Sequence, residues 1–276
     1  MVVDAAGSRV HHVERGAHAG PDVPTLVLLH GFPVDHRLLL TAFEGALASR
    51  PAWRRVYLDL PGMGASPSSG VASTDDVLAV VRAAIDRLVP GPYVVVGESY
   101  GGYLARGLVA ADPERVRGVA LLCPLIVPEH ARRDVPPHRV LVRDADLVRD
   151  VGEAALDADD VGVVQTPETW RRTEAEVAPG LAAADPDTVR RVAAGYAGSF
   201  PVEPRPYDGP TLFLLGRQDA VTGYRDAWRV IEHYPRATFA VLDRAGHNLQ
   251  IEQAALFDAL VDEWLDRVEE AAAAHG

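Results

Sequence analysis

The 276-residue sequence contains no lysine; all 27 of its basic residues are arginine. That absence excludes several chemistries together. A phosphate-binding P-loop uses a lysine, pyridoxal-phosphate enzymes and Schiff-base aldolases need an amine, and protein kinases hold the ATP phosphates with one. Cysteine is nearly missing too, since Cys123 stands alone. It can form neither an internal disulfide nor a thiolate metal site, which fits a reducing compartment. No stretch approaches the roughly 18 apolar residues of a membrane span, and Met1 to Arg15 is polar and charged where a signal peptide needs an apolar core. A cytoplasmic protein without membrane contact is expected. Clustered positive charge is also lacking: the arginines fall in isolated pairs such as Arg54-Arg55 and Arg190-Arg191 among 39 acids, for a formal net charge of −12. Phosphate backbones need clustered cations, so no nucleic-acid partner is expected.

What is present is an ordinary globular mixture, 48% hydrophobic and 24% charged, enough to bury a sizeable core. The length suggests about two domains, or one large α/β domain carrying an insertion. From Pro24 to Gly118, short apolar runs alternate with helical periodicity, the signature of βαβ units on a parallel sheet. The runs are Thr25 to Leu29, Val56 to Leu60, Tyr93 to Val96 and Val116 to Leu122. Each is apolar rather than alternating, apart from Asp59 and Arg117, and reads as a buried strand. Ser73 and Asp76 form a capping-box pattern before a helix whose buried face includes Val77, Val80, Val81, Ala84 and Leu88.

Beyond Pro124 the character changes. Residues Leu125 to Pro206 lack strand runs, hold fifteen acids against ten arginines, and carry polar helical stretches at Glu168 to Val177 and Asp187 to Ala194. They read as a mostly helical insertion, 125–206, in a core made of 1–124 and 207–276. Strand signals return at Thr211 to Leu215 and Thr238 to Leu242, separated by a helix expected to bury Tyr224, Ala227, Trp228 and Ile231. A closing amphipathic helix carries Leu256, Phe257, Leu260, Val261, Trp264, Leu265 and Val268 on one stripe. The alanine-rich tail from Ala271 is expected to fray.

Gly97-Glu98-Ser99-Tyr100-Gly101 fits G-x-S-x-G between an apolar run and a helical stretch, Gly102 to Ala111. That strand-turn-helix context is what a nucleophile elbow requires, because a tight turn lifts the serine hydroxyl above the sheet. Read blandly, it is a glycine-rich connection. A serine hydroxyl is a weak nucleophile at neutral pH and needs an imidazole base, itself oriented by a carboxylate. Asp219 and His247 each follow a strand run by a short loop, in the chain order serine, acid, histidine. Other histidines, His11, His12, His18, His130, His138, His233 and His275, lack that context and read as solvated or structural.

Acyl transfer also needs backbone N–H donors aimed at one developing oxyanion. The residue after the serine, Tyr100, supplies one. Phe32, in His30-Gly31-Phe32-Pro33 after the first parallel strand, is the expected second, with its ring free to line an acyl pocket. His30 reads as structural, packed under the loop. Asp243 reads as a solvated loop acid, Asp226 as a helix-surface residue and Cys123 as a small buried hydrophobe. No H-E-x-x-H occurs, and the adjacent His11 and His12 would point to opposite faces of a strand. No metal is expected.

Together His30-Gly31-Phe32-Pro33, Asp59-Leu60-Pro61-Gly62-Met63-Gly64-Ala65-Ser66, the elbow at Ser99, Leu215-Gly216-Arg217-Gln218-Asp219 and Ala245-Gly246-His247 resemble the α/β-hydrolase fold superfamily over nearly the whole chain. The resemblance implies a mostly parallel sheet flanked by helices, with residues 125–206 as a helical cap. It makes Asp59 to Ser66 a structural loop, and Gly62-x-Gly64 lacks the third glycine of a dinucleotide fingerprint, Pro67 standing there. No cofactor is expected. Haloalkane dehalogenases and epoxide hydrolases resemble this scaffold but carry aspartate at the elbow, which Ser99 excludes. The resulting expectation is a serine hydrolase acting on carboxylic esters of small, largely apolar molecules. A C–C hydrolase, lactonase, amidase or aminopeptidase on the same triad, and a small-molecule receptor on a hydrolase scaffold, remain open.

Overall fold

The computed structural model describes residues 1–20, 23–68, 70–157 and 161–274. In chain order the elements are β1 (Val2–Ala5), β2 (Ser8–Gly16), β3 (Thr25–Leu29), α1 (Arg37–Ala46), β4 (Arg54–Leu58), α2 (Thr74–Leu88), β5 (Tyr93–Glu98), α3 (Tyr100–Ala111) and β6 (Val116–Leu122). There follow β7 (Val142–Arg143), α4 (Ala145–Val151), α5 (Glu153–Asp157), β8 (Val164–Gln165), α6 (Pro167–Glu176), α7 (Ala178–Ala183) and α8 (Pro186–Ala194). The chain then returns through β9 (Thr211–Gly216), α9 (Arg225–Arg229), β10 (Ala237–Leu242), α10 (Leu249–Glu252) and α11 (Ala254–Ala273).

Eight strands form one sheet in the order β1-β2-β4-β3-β5-β6-β9-β10. Its strands pair in parallel from β4 to β10, while β1 and β2 join antiparallel. The continuous apolar runs are explained by burial on both faces. One face packs under α2 and α3, with Val27, Val56, Val95, Val119 and Phe213, and the other under α1 and α11, with Leu28, Tyr57, Val96, Leu122 and Trp264.

Several expectations change against the structure. β4 begins at Arg54 rather than Val56, because the buried guanidiniums of Arg54 and Arg55 are neutralised by Glu14 and Glu44. Ser73 accepts the Asp76 N–H at 3.2 Å, but Asp76 reaches back to the Ala72 N–H, one residue short of a closed capping box. Trp228 is 60% exposed, packed edge-on against Phe239, and Asp226 takes the buried place instead, accepting the Asp134 N–H at 2.9 Å and pairing with Arg229. Leu256 is exposed at the start of α11. The tail does not fray at Ala271, since α11 runs to Ala273; His275 lies outside the described residues.

Among the described residues between β6 and β9, helices α4 to α8 are joined by loops and by one short parallel pair, β7 and β8, that no apolar run announces. It rests on the loops at the carboxyl edge of the sheet. Asp185 N–H donates to Gly62 O, Thr74 N–H to Gly195 O, and a side chain at Gly180 would strike the Asp35 backbone. Arginines fasten its two ends. Arg133 donates to the carbonyls of Val127, Pro128 and Val221, and Arg106 forks onto Glu203 while donating to Leu125 O. Among the described residues no helix is long and apolar enough to cross a membrane.

Candidate active site

The turn from β5 into α3 forces Ser99 to φ +51°, the left-handed region that ordinary side chains avoid. Its flanking glycines are required by contact. A Cβ on Gly97 would lie 2.3 Å from Gly101 O, and one on Gly101 would lie 2.1 Å from Leu29 O. The turn is pinned to its neighbours, with Ser99 N–H donating to Leu122 O and Ser99 O accepting from Tyr103 and Leu125. Strain of about 1–3 kcal/mol at such a residue persists only where surrounding bonds hold it.

Asp219 and His247 come together as their strand-end positions predict. His247 Nδ1 lies 3.1 Å from Asp219 Oδ2. Asp219 is fully buried, yet its Oδ1 accepts the Val221 and Thr222 N–H groups and its Oδ2 the Thr222 hydroxyl at 2.6 Å. Burial would push this carboxyl up, but His247 and those donors outweigh it and hold it below the ordinary carboxylate range. The imidazole shows the converse balance. Burial pushes it down, and the Asp219 and Glu98 carboxyls more than compensate, lifting it to about 9.

Glu98 is the residue that the sequence pattern missed, because it fills the unconstrained slot before the serine. It is buried, its Oε1 lies 3.3 Å from His247 Nε2, and that oxygen has no hydrogen-bond partner among the described residues. Burial first, then the charge of Asp219, push its carboxyl up to about 7 against the pull of His247. The only sequence signal was a carboxylate ending an otherwise apolar strand.

The loop after β3 lies alongside. A Cβ on Gly31 would meet Glu98 Oε2 at 2.2 Å and Ser99 Cβ at 3.2 Å, so this loop approaches the serine as closely as glycine permits. The Phe32 ring packs at 5.5 Å from Tyr100 and 5.4 Å from Tyr196, which stack on each other at 5.1 Å. Tyr196, from the polar stretch before β9, was not singled out by sequence. Beneath the loop, His30 Nε2 accepts the Leu60 N–H at 2.9 Å, so Nδ1 carries the proton donated to Gly31 O at 2.7 Å. Burial lowers its pKa and keeps it neutral, a structural histidine.

Among the described residues two groups gather metal-ligating residue types, His11, His36 and Asp59, and Cys123, Asp219 and His247. In both, the atoms already bond within the protein. Asp59 accepts from His11 Nδ1, His36 Nδ1, His36 N and Ala65 N, and the buried Cys123 thiol points to Gly246 O. His36 carried no motif, and only the fold brings it to Asp59.

A serine on a strained strand-to-helix turn, at the carboxyl edge of a parallel sheet that also carries an Asp-His pair beyond the ends of β9 and β10, is the site arrangement of one large group of enzymes. A family model described as "alpha/beta hydrolase fold" matches residues 24–254. The chain belongs to the α/β-hydrolase fold family. This α/β hydrolase is 29% identical over 264 residues to the pimeloyl-[acyl-carrier protein] methyl ester esterase of Nitrosomonas europaea, covering 90% of this chain and 98% of that one. Among solved structures it resembles an alpha/beta superfamily hydrolase from Oenococcus oeni PSU-1, with TM-score 0.86, 26% identity, and 98% and 99% of the two chains covered. A thermophilic esterase from Thermogutta terrifontis shares the fold at TM-score 0.70 and 22% identity, over 97% and 98% of the chains.

Proposed function

We propose that this α/β hydrolase is a cytoplasmic serine esterase that opens carboxylic esters of small, largely apolar molecules. Ser99 attacks the acyl carbon, His247 takes its proton and returns it to the leaving alcohol, and Asp219 holds the imidazole through Nδ1. The backbone N–H groups of Phe32 and Tyr100 receive the oxyanion, and water then frees the acid by the reverse sequence. Residues 125–206 act as a helical cap over the core of 1–124 and 207–276. Their Tyr196 stacks on Tyr100 and meets Phe32 edge-on, an apolar wall suited to an acyl chain. The mechanism requires neither metal nor cofactor.

The observation that carries this reading is the hydrogen bond between His247 Nδ1 and a buried, ionised Asp219. The test is steady-state hydrolysis of p-nitrophenyl esters from acetate to laurate by the wild type and Ser99→Ala. A loss of at least about 10³-fold in the variant is expected, with one preferred chain length in the wild type. Retention of turnover by Ser99→Ala overturns the serine mechanism, and faster cleavage of aminoacyl arylamides than of esters replaces the substrate class.

A further inference from the structure

We propose that Glu98 is a positioning residue for this reaction, a second carboxyl that holds His247 through Nε2 in the resting site and accepts the proton that must leave that nitrogen before Ser99 can use it. The inference rests on the reading of Ser99 and His247 as nucleophile and base.

The geometry carries it. With Nδ1 committed to Asp219 at 3.1 Å, a neutral imidazole presents a lone pair at Nε2. Close to that nitrogen, at 3.3 Å but out of line for a hydrogen bond, is Glu98 Oε1, from a side chain 1% exposed and with no hydrogen-bond partner for that oxygen among the described residues. A buried carboxylate oxygen left without a donor is costly, and the proton available at this distance is the one that His247 can carry on Nε2. The proton has two places. On Nε2 it makes His247 an imidazolium between two carboxylates, unable to act as a base. On Oε1 it makes Glu98 neutral and leaves the Nε2 lone pair, which points off Oε1, to accept from the Ser99 hydroxyl. Passing from Nε2 to Oε1, the proton leaves the summed charge of Asp219, His247 and Glu98 at minus one and consumes no other reactant.

The two carboxyls differ in a way that fixes which one takes it. Asp219 is ringed by the Val221 and Thr222 N–H groups and the Thr222 hydroxyl, all of which favour its ionised form. The Glu98 carboxyl gains only the Gly31 N–H, and its Oε1 has no donor among the described residues, so it is the cheaper of the two to neutralise. Around the pair stand Asp219 from the loop after β9, Cys123 from the end of β6, and Arg133 and Tyr196 from the chain between β6 and β9. Burial raises the Cys123 thiol and the Tyr196 phenol well above their ordinary values, and Arg133 stays cationic. The exchangeable proton near neutrality therefore belongs to Glu98 and His247 as a coupled pair.

The experiment compares the pH dependence of kcat/KM on a p-nitrophenyl ester for the wild type and Glu98→Gln, together with the ¹⁵N titration of His247 in a Ser99→Ala background with and without Glu98→Gln. An amide can face Nε2 but cannot take its proton, and it removes a charge that holds the imidazole up. The acid limb of kcat/KM and the His247 titration should both move to lower pH by about one unit or more, with the plateau roughly ten-fold lower. A reduced plateau with neither titration moved would make Glu98 a packing residue and overturn the inference. Should Glu98→Gln fail to fold, ¹³C-carboxyl titration of Glu98 in the unmutated protein decides. Titration near neutrality in step with His247 supports the proposal, and an independent titration near the ordinary value of about 4 overturns it. Turnover surviving in Ser99→Ala would instead sink the serine mechanism, whatever Glu98 does.

Discussion

The sheet and the stretch between β6 and β9 are held by opposite means. Strands β3, β5 and β9 are buried along their whole length, and apolar contact across both faces keeps them in place. In α6 the buried face is Thr169, Arg172 and Glu176, at helical spacing but polar throughout. Arg172 forks onto Glu176 and donates its remaining arm to Gln250 O, and the ends of the stretch are fastened by Arg106 and Arg133 in the same manner. A guanidinium offers five donors in a fixed fork and can join a carboxylate to a carbonyl several residues away, which an ammonium does less well. In a chain without lysine, arginine takes the structural part that leucine takes in the sheet.

Removing one anchor from each region gives the largest contrast. Glu203→Ala strands Arg106, which is 2% exposed, and deprives the Tyr234 hydroxyl of its acceptor. A loss of about 3–5 kcal/mol is expected. Leu214→Ala, in the middle of the sheet, should cost about 3 kcal/mol from lost burial and the cavity left behind. Urea unfolding of both variants checks the order, and a Glu203→Ala loss below about 1 kcal/mol would reduce the arginine fork to a minor contact.

Mild acid should separate the regions by a smaller amount. His30, at the sheet edge, has its pKa lowered by burial, so the unfolded chain binds more protons than the fold below the unfolded value of about 6.5. Its contribution is complete above that pH and declines as pH falls toward the lower folded value, by at most about 1.4 kcal/mol per pH unit. Glu203 has a lowered pKa and keeps its charge in that window. Glu98 and His247, both raised, change stability in the opposite sense, so the informative quantity is the difference between wild type and His30→Gln. Urea midpoints between about pH 7.5 and 5.5 should show a steeper loss, or a smaller gain, in the wild type, and parallel curves would assign His30 no such part.

The smallest effect belongs to a paired exchange. Replacing Arg172 and Glu176 together by Met and Leu removes a buried ion pair without stranding either charge; the usual neutral-to-stabilising effect of such a replacement offsets the bond lost by Gln250 O, and stability should change by no more than about 1 kcal/mol, in either direction. Single Arg172→Ala losing much more would show that the pair is costly to break although nearly neutral to replace.

The same contrast explains what could be read from the sequence. Strands β3, β5 and β9 were visible because burial on both faces writes a continuous apolar run, β6 and the half-buried β10 because their runs are apolar apart from Arg117 and Thr238, and Ser99, Asp219 and His247 because each follows such a run by a short turn. The β1–β2 hairpin was not, since its Ala6-Gly7 turn, at φ +46° and +77°, lacks the usual Asn-Gly signal and its buried Val10 and His12 alternate with polar neighbours. Glu98, Tyr196, Asp226 and His36 escaped for a shared reason. Apart from Arg229 beside Asp226, their partners lie far away in sequence, and no periodicity marks a polar side chain that is buried by what it packs against.

Arg133 joins those partners in a mechanical sense. Its guanidinium is a rivet through two plates, one formed by the chain at Val127 and Pro128 and the other by the loop at Val221. The Val221 N–H in turn donates to Asp219 Oδ1 at 2.8 Å. Any force that lifts the chain at Pro128 is therefore delivered, through one side chain and one amide, to the carboxylate that steadies His247.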